Sequence, residues 1–87
     1  MTAAEADARV RTAMRLGHFN VSPHAQMRMA QRNVRLEDIR SAVLTANALP
    51  VWQERDRSWK FKGKDIDEEE LTVCVRIDHT VEVATVF

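Results

Sequence analysis

The spacing of apolar residues changes along this chain from a helical period to a period of two, and the change lies near Pro50. Before Pro50, apolar residues recur every three to four positions, as on one face of a helix. After it they alternate with polar residues, as on a strand with one buried face. Helices followed by strands within 87 residues predict one α+β domain, with two to three N-terminal helices packed on a three- to four-stranded antiparallel sheet.

Residues that commonly begin or end helices mark bounds of the first two helical segments. Residues 19–21 lie between the first two segments and form a short connector or an edge strand. The predicted helices cover residues 3–16 before Gly17, residues 23–32 between the Ser22–Pro23 start and Asn33, and about residues 36–46.

The second half of the chain predicts two hairpins. The strands are expected at residues 51–55 and 58–62, joined around Asp56, and at residues 70–77 and 81–87, with residues 63–69 as an exposed acidic loop.

The loop of the second hairpin follows from matching its apolar faces. A three-residue loop, 78–80, sets Ile77 opposite Val81 and Arg76 opposite Glu82. The same register continued sets Val73 opposite Thr85, so Thr85 is expected to face inward.

The formal net charge is zero, which argues against a strong nucleic-acid binder. The charge is nevertheless unevenly spread. Residues 18–64 carry nine Lys/Arg against four Asp/Glu, whereas residues 65–87 carry one Arg against seven acids. Either the two regions neutralise each other in the fold, or they form separate faces.

The single Cys74 cannot form an internal disulfide, and it lies in an alternating apolar run. A buried, reduced thiol is typical of a cytoplasmic protein. The sequence has no apolar run long enough for a signal peptide or a membrane span, so no membrane partner is expected.

One stripe of the predicted second helix is rich in groups that bind anions. At 100° per residue, His24, Arg28, Gln31 and Arg32 fall on one side of that helix. Two guanidiniums and an imidazole suit a phosphate. His24 lies in the first turn, where the helix dipole disfavours imidazolium, and a neutral imidazole beside fixed cations suits a general base. The alternative is that the stripe only pairs with acids of the same fold, and that Thr85 is simply a strand former.

The segment His24-Ala25-x-x-Arg28-Met29-x-x-Arg32, a Leu-Glu-Asp-Ile helix start and the closing Val83-Ala84-Thr85-Val86-Phe87 resemble a bacterial domain-of-unknown-function family. The resemblance covers about residues 19–87 and leaves residues 1–17 as an extra helix of the single domain 1–87. It implies a fold like that of RelE and barnase, small metal-independent ribonucleases that often serve as toxins.

The resemblance directs attention to His24, Arg28, Arg32 and Thr85 as catalytic candidates. His24 would take the 2′-hydroxyl proton of RNA, and the arginines would stabilise the transition state. Lys60 and Lys62 are candidates for contacts to the RNA backbone. The histidines and Cys74 lack metal-ligand spacing, and no glycine-rich loop is present, so neither a metal nor a cofactor is expected.

Two functions remain open from the sequence. The first is a toxin-type endoribonuclease acting on RNA without a metal. The second is a non-catalytic module that binds a protein, either an antitoxin-like partner or a second copy of the chain. DNA binding ranks last because the chain lacks a convincing recognition helix.

Overall fold

The computed structural model describes all 87 residues and places three helices ahead of most of the sheet. The helices are α1 (Ala3–Leu16), α2 (Pro23–Arg32) and α3 (Leu36–Thr45), and the strands are β1 (Asn20–Val21), β2 (Val51–Gln53), β3 (Ser58–Lys64), β4 (Glu70–Ile77) and β5 (Val81–Val86). The α+β class with N-terminal helices on a sheet is therefore confirmed. None of the helices has the length and apolar character needed to cross a membrane.

The sheet has five strands in the order β1-β5-β4-β3-β2. The four C-terminal strands pair antiparallel, as predicted, while β1 pairs parallel with β5. The sheet is thus larger and more mixed than the predicted three to four antiparallel strands. The difference arises because the connector before α2 becomes the edge strand β1.

The helix ends follow the local chemistry of their residues. Thr2 and Glu5 form a reciprocal capping box at the start of α1, and Gly17 closes it with a φ of 73°. The Ser22 hydroxyl accepts the Ala25 N–H at the start of α2, and Asn33 closes that helix with a φ of 55°. The predicted boundaries of α1 and α2 are confirmed.

The core lies between the helices and one face of the sheet, here called the inner face. Ala6, Val10 and Met14 of α1 and Ile39 and Val43 of α3 are fully enclosed. The inner-face side chains that pack in the same cluster are Trp59, Phe61, Leu71, Val73, Val75, Val81, Val83 and Val86. Burial of this apolar surface is the main driving force for the fold.

The opposite, outer face of the sheet carries polar side chains and is largely open. Its residues are, from β3 to β5 and the chain end, Ser58, Lys60, Lys62, Thr72, Cys74, Arg76, Glu82, Thr85 and Phe87. Most of these side chains are exposed or partly buried, and only Ser58 and Cys74 are buried.

A β-bulge in β5 changes which side chains reach the outer face. Ile77 pairs with Val81 and Arg76 with Glu82, as predicted. The register then shifts, because Val75 pairs with Val83 but Cys74 pairs with Thr85. The predicted pairing of Val73 with Thr85 is therefore wrong, and so is the inward orientation of Thr85. The extra residue, Ala84, rotates Thr85 onto the outer face and leaves Val86 to fill the core.

The acidic segment 65–70 is held against α3 by a buried carboxylate. Asp38 is 4% exposed and accepts hydrogen bonds from the Arg35 N–H at 2.9 Å, the Arg35 Nε at 3.2 Å and the Ile66 N–H at 3.2 Å. These hydrogen bonds hold the pKa of Asp38 below its ordinary value. Arg35 also lies 4.0 Å from Asp67 of the same segment.

We expect Gly63→Ala to destabilise the domain by about 3 kcal/mol, because a Cβ there would lie 1.7 Å from the Ala42 carbonyl oxygen. Gly17→Ala is the matched control, since nothing lies within 4 Å of its Cβ and only the positive φ opposes it. The control should lose about 1 kcal/mol. Urea denaturation measures both, and equal losses would show that the contact of β3 with α3 is not close.

We expect the domain to lose stability below about pH 4 through Asp38. Because the pKa of Asp38 is lowered in the folded state, its contribution is present above the unfolded pKa and is lost as pH falls through the folded pKa. Thermal denaturation of Asp38→Asn should show a weaker acid dependence than the unsubstituted protein. Asp67→Asn, which removes an exposed carboxylate, serves as the control. Parallel profiles for Asp38→Asn and the unsubstituted protein would contradict the expectation.

Candidate functional site

The N-terminus of α2 is anchored to β5 by Ser22. The Ser22 N–H donates to the Val83 carbonyl at 3.0 Å. Its hydroxyl donates to the Ala84 carbonyl at 2.9 Å while accepting the Ala25 N–H at 3.0 Å. One side chain thus caps the helix and holds the bulged residue of the strand. His24, the second residue of α2, is thereby placed at the border of the outer face.

His24 lines a pocket of about 240 Å³ on the outer face, here called the His24 pocket. Its other lining residues are Asp56, Ser58, Cys74, Arg76, Ala84 and Thr85. The structure therefore brings together two of the predicted catalytic residues, His24 and Thr85. They meet because of the bulge, since an inward-facing Thr85 would lie on the other side of the sheet.

Arg28 and Arg32 lie one and two helical turns beyond His24 and do not line the pocket. Neither forms an ion pair or a side-chain hydrogen bond within the chain. Arg28 is partly buried, and its Nε is enclosed without an acceptor. Arg32 is exposed. The alternative in which these arginines pair with the acidic segment 65–70 is not what the structure shows, because that segment contacts Arg35 and Asp38.

Lys60 and Lys62 extend the outer face on β3. Lys60 pairs across the sheet with Cys74, which pairs in turn with Thr85, so Lys60 lies in the same row as the pocket. Its Nζ is 5.6 Å from the centroid of the Phe87 ring. Lys62 is exposed one row further along, opposite Thr72. Both lysines are therefore on the face that holds the pocket.

Sequence reasoning missed Ser58, Asp56 and Arg76 as pocket residues. The alternation along β3 and β4 does place Ser58 and Arg76 on one face, but the relative alignment of the two strands sets their distance from His24. Arg76 Nε donates to the Asp56 carbonyl at 3.3 Å, and its Nη1 lies 3.8 Å from Glu82 Oε1. The Arg76–Glu82 pair was predicted, but its place beside the pocket was not.

Cys74 lies in the wall of the pocket but is poorly suited to be a nucleophile. Its side chain is buried, as predicted. Burial raises the pKa of the Cys74 thiol, and the nearby positive charge of Lys60 only partly opposes this effect. The protonated thiol predominates at neutral pH, so Cys74 acts as a small, weakly polar wall residue.

The model of the family described as Domain of unknown function (DUF4258) matches residues 21–87. The chain belongs to the DUF4258 family. No curated protein and no solved structure shows a significant match to it. All seven residues that line the His24 pocket lie within the DUF4258 region, so the pocket is built by the family domain without help from α1.

A second cavity, of about 510 Å³, lies between the end of α1 and the β4–β5 hairpin. It is lined by His18, His79 and Arg9 among others, and it contains none of the predicted site residues. Part of its wall comes from α1, which lies outside the DUF4258 region. No three His, Cys, Asp or Glu side chains cluster closely enough anywhere in the domain to hold a metal ion.

We expect the thiol of Cys74 to react slowly in the folded DUF4258 domain. Burial and the raised pKa both reduce the accessible thiolate, so alkylation by iodoacetamide at pH 8 should be at least about tenfold slower than in 6 M guanidinium chloride. Mass spectrometry of the intact chain measures the rate. A folded-state rate equal to the unfolded rate would show that the wall of the pocket is open.

Proposed function

We propose that this DUF4258 domain is a metal-independent endoribonuclease of the toxin type, with its active site at the His24 pocket. The observation that carries the proposal is the meeting of His24 with Thr85 in one pocket of the outer face, beside a helix whose arginines have no acidic partner. The resemblance to RelE and barnase, given above, supports the same reaction class.

The proposed reaction uses the RNA's own 2′-hydroxyl as nucleophile. His24 takes the proton from that hydroxyl as general base, and the oxygen attacks the adjacent phosphorus. The bond from phosphorus to the 5′-oxygen breaks, and the leaving oxygen takes a proton from water. The hydroxide that remains takes the proton from His24 and returns the imidazole to its starting form. The products are a 2′,3′-cyclic phosphate and a free 5′-hydroxyl. His24 is exposed at the rim of the pocket, where a backbone sugar can approach it.

The remaining candidate residues would stabilise negative charge on the RNA or hold its phosphates in place. Arg28 and Arg32, one and two turns along α2 from His24, would offset the negative charge that grows on the phosphate, and neither is neutralised by an ion pair within the chain. Thr85 would donate to a phosphate oxygen inside the pocket. Lys60 and Lys62 would hold neighbouring phosphates along β3. The segregation of the acidic segment at α3 lets a chain of zero net charge present this basic surface.

The second candidate function is a non-catalytic module that binds a protein, an antitoxin-like partner or a second copy. The observation that favours it is the apolar edge at β2, where Leu49, Val51 and Trp52 are 55%, 59% and 39% exposed. β2 pairs only with β3, so its other edge is free to accept a strand.

An RNA substrate and a reduced thiol both fit a cytoplasmic location, which is part of the ribonuclease proposal.

We expect the purified protein to cleave a mixed RNA pool in the presence of EDTA. His24→Ala should lower the rate by at least about a hundredfold, because it removes the general base. Arg28→Ala should lower it by about tenfold or more, because it removes charge stabilisation. His79→Ala is the matched control, since His79 lines the other cavity, and its rate should be unchanged.

Cleavage that persists at full rate in His24→Ala would contradict the proposed active site. Cleavage that disappears in EDTA and returns with a divalent ion would contradict the metal-independent mechanism. Absence of cleavage by all four proteins, with each shown to be folded by circular dichroism, would favour the binding module.

A further inference from the structure

The His24 pocket contains a buried hydroxyl that nothing in the protein satisfies. Ser58, the first residue of β3, is 1% exposed, and its Oγ has no hydrogen-bond partner. The Cys74 thiol is its polar neighbour and Ser58 opposes the rise in the thiol pKa, but the two side chains do not meet the geometry of a hydrogen bond. Buried polar groups are nearly always paired, so a lone hydroxyl lining a pocket indicates a partner that comes from outside the chain.

The charges around Ser58 favour an anionic partner. Arg76 lines the same pocket, and its Nη2 forms no hydrogen bond to the protein. The first turn of α2 contributes His24 to the pocket, so the positive end of a ten-residue helix dipole lies near it. Lys60 lies in the same row of the sheet as Cys74 and Thr85.

Two acidic residues oppose an anion there. Asp56 lines the pocket from the turn between β2 and β3, and Glu82 lies opposite Arg76 on β5. The Asp56 residue is exposed, so its charge is screened by solvent and weighs less than that of a buried group. Removal of the Asp56 charge should nevertheless strengthen the binding of an anion, whereas removal of a donor such as Ser58 should weaken it.

We propose that the His24 pocket binds one phosphodiester group of the RNA backbone, with the Ser58 hydroxyl as donor at its floor and Arg76 as the charged partner. The proposal rests on the proposed function and identifies the substrate group at that site. A phosphate held here lies beside His24, so it is the phosphate next to the reacting 2′-hydroxyl. Ser58 thereby joins Thr85 as a second neutral donor to the phosphate oxygens.

The assignment of Ser58 also explains why the chain buries an unpaired hydroxyl. Without a ligand the group is unfavourable, since its desolvation is not repaid by a hydrogen bond. Ser58→Ala should therefore leave the folded protein at least as stable as before while weakening its ligand. A purely structural serine would show the reverse, a loss of stability without an effect on binding.

The test is a titration followed by ¹⁵N NMR with two probes, inorganic phosphate and a 2′-deoxy dinucleotide. The dinucleotide carries one phosphodiester and no 2′-hydroxyl, so it is not cleaved by the proposed chemistry. Both probes should shift the resonances of the pocket residues in the unsubstituted protein. Ser58→Ala should weaken dinucleotide binding by about tenfold, the effect of one hydrogen bond to a charged group. Asp56→Asn should strengthen it about twofold to threefold.

Thr72→Val is the matched control, because it removes a hydroxyl from the outer face outside the pocket. It should bind both probes as the unsubstituted protein does. Thermal denaturation of each variant shows that loss of binding in Ser58→Ala does not come from unfolding.

Equal affinity of Ser58→Ala and the unsubstituted protein would overturn the proposal. The absence of shifts with the dinucleotide would also overturn the proposal. If only inorganic phosphate binds, the pocket takes a free anion and not a phosphodiester. If the dinucleotide binds through Ser58 but the RNA pool is not cleaved, the phosphodiester site stands and the catalytic proposal fails. Cleavage of RNA by Ser58→Ala at the full rate would overturn the role of Ser58.

Discussion

The arrangement of the site depends on one buried serine. Ser22 caps α2 through Ala25 and holds the Ala84 carbonyl of β5 with the same hydroxyl. Because both bonds come from one oxygen, the start of the helix and the bulge of the strand are fixed relative to each other. The bulge turns Thr85 outward, and the helix start places His24 beside it. The pairing of β1 with β5 brings the two elements together, and the Ser22 hydroxyl fixes the helix start at the bulge.

The second constraint is the placement of charge. Asp38 accepts hydrogen bonds from the Arg35 side chain and the Ile66 N–H, and these bonds hold the acidic segment 65–70 against α3. Arg28 and Arg32 on α2 are left without acidic partners. A net charge of zero therefore conceals a basic helix stripe next to an open sheet face. This separation makes the surface suitable for a phosphate backbone in spite of the overall neutrality.

Local features were predictable from the sequence because their causes are local. The caps at Ser22, Gly17 and Asn33 and the loop of the last hairpin depend on residues close together in the chain. The bulge was not predictable, because the group that holds Ala84 comes from Ser22, far away in the sequence. Unbroken alternation predicts that Thr85 faces inward, and the bulge makes that prediction wrong.

The candidate site likewise combines features that local sequence patterns predict with features that depend on distant residues. The helical spacing of His24, Arg28 and Arg32 was visible in the sequence, and the structure leaves His24 and Arg32 exposed and Arg28 partly buried. Ser58 gave no signal, because a serine that begins a strand is common and only the packing of β3 beside β4 reveals its unpaired hydroxyl. An edge strand at β1 was one of the two alternatives for residues 19–21, but its parallel pairing with β5 was not predicted, because the partner is distant in the sequence.

The central claim is that the outer face around His24 is the surface that meets RNA. The most direct measurement is chemical-shift mapping of the full chain with a 2′-O-methyl RNA oligonucleotide, which lacks the attacking hydroxyl. The account predicts that shifts concentrate at His24, Lys60, Arg76 and Thr85. Shifts confined to the cavity of His18 and His79, or to the edge at β2, would contradict it.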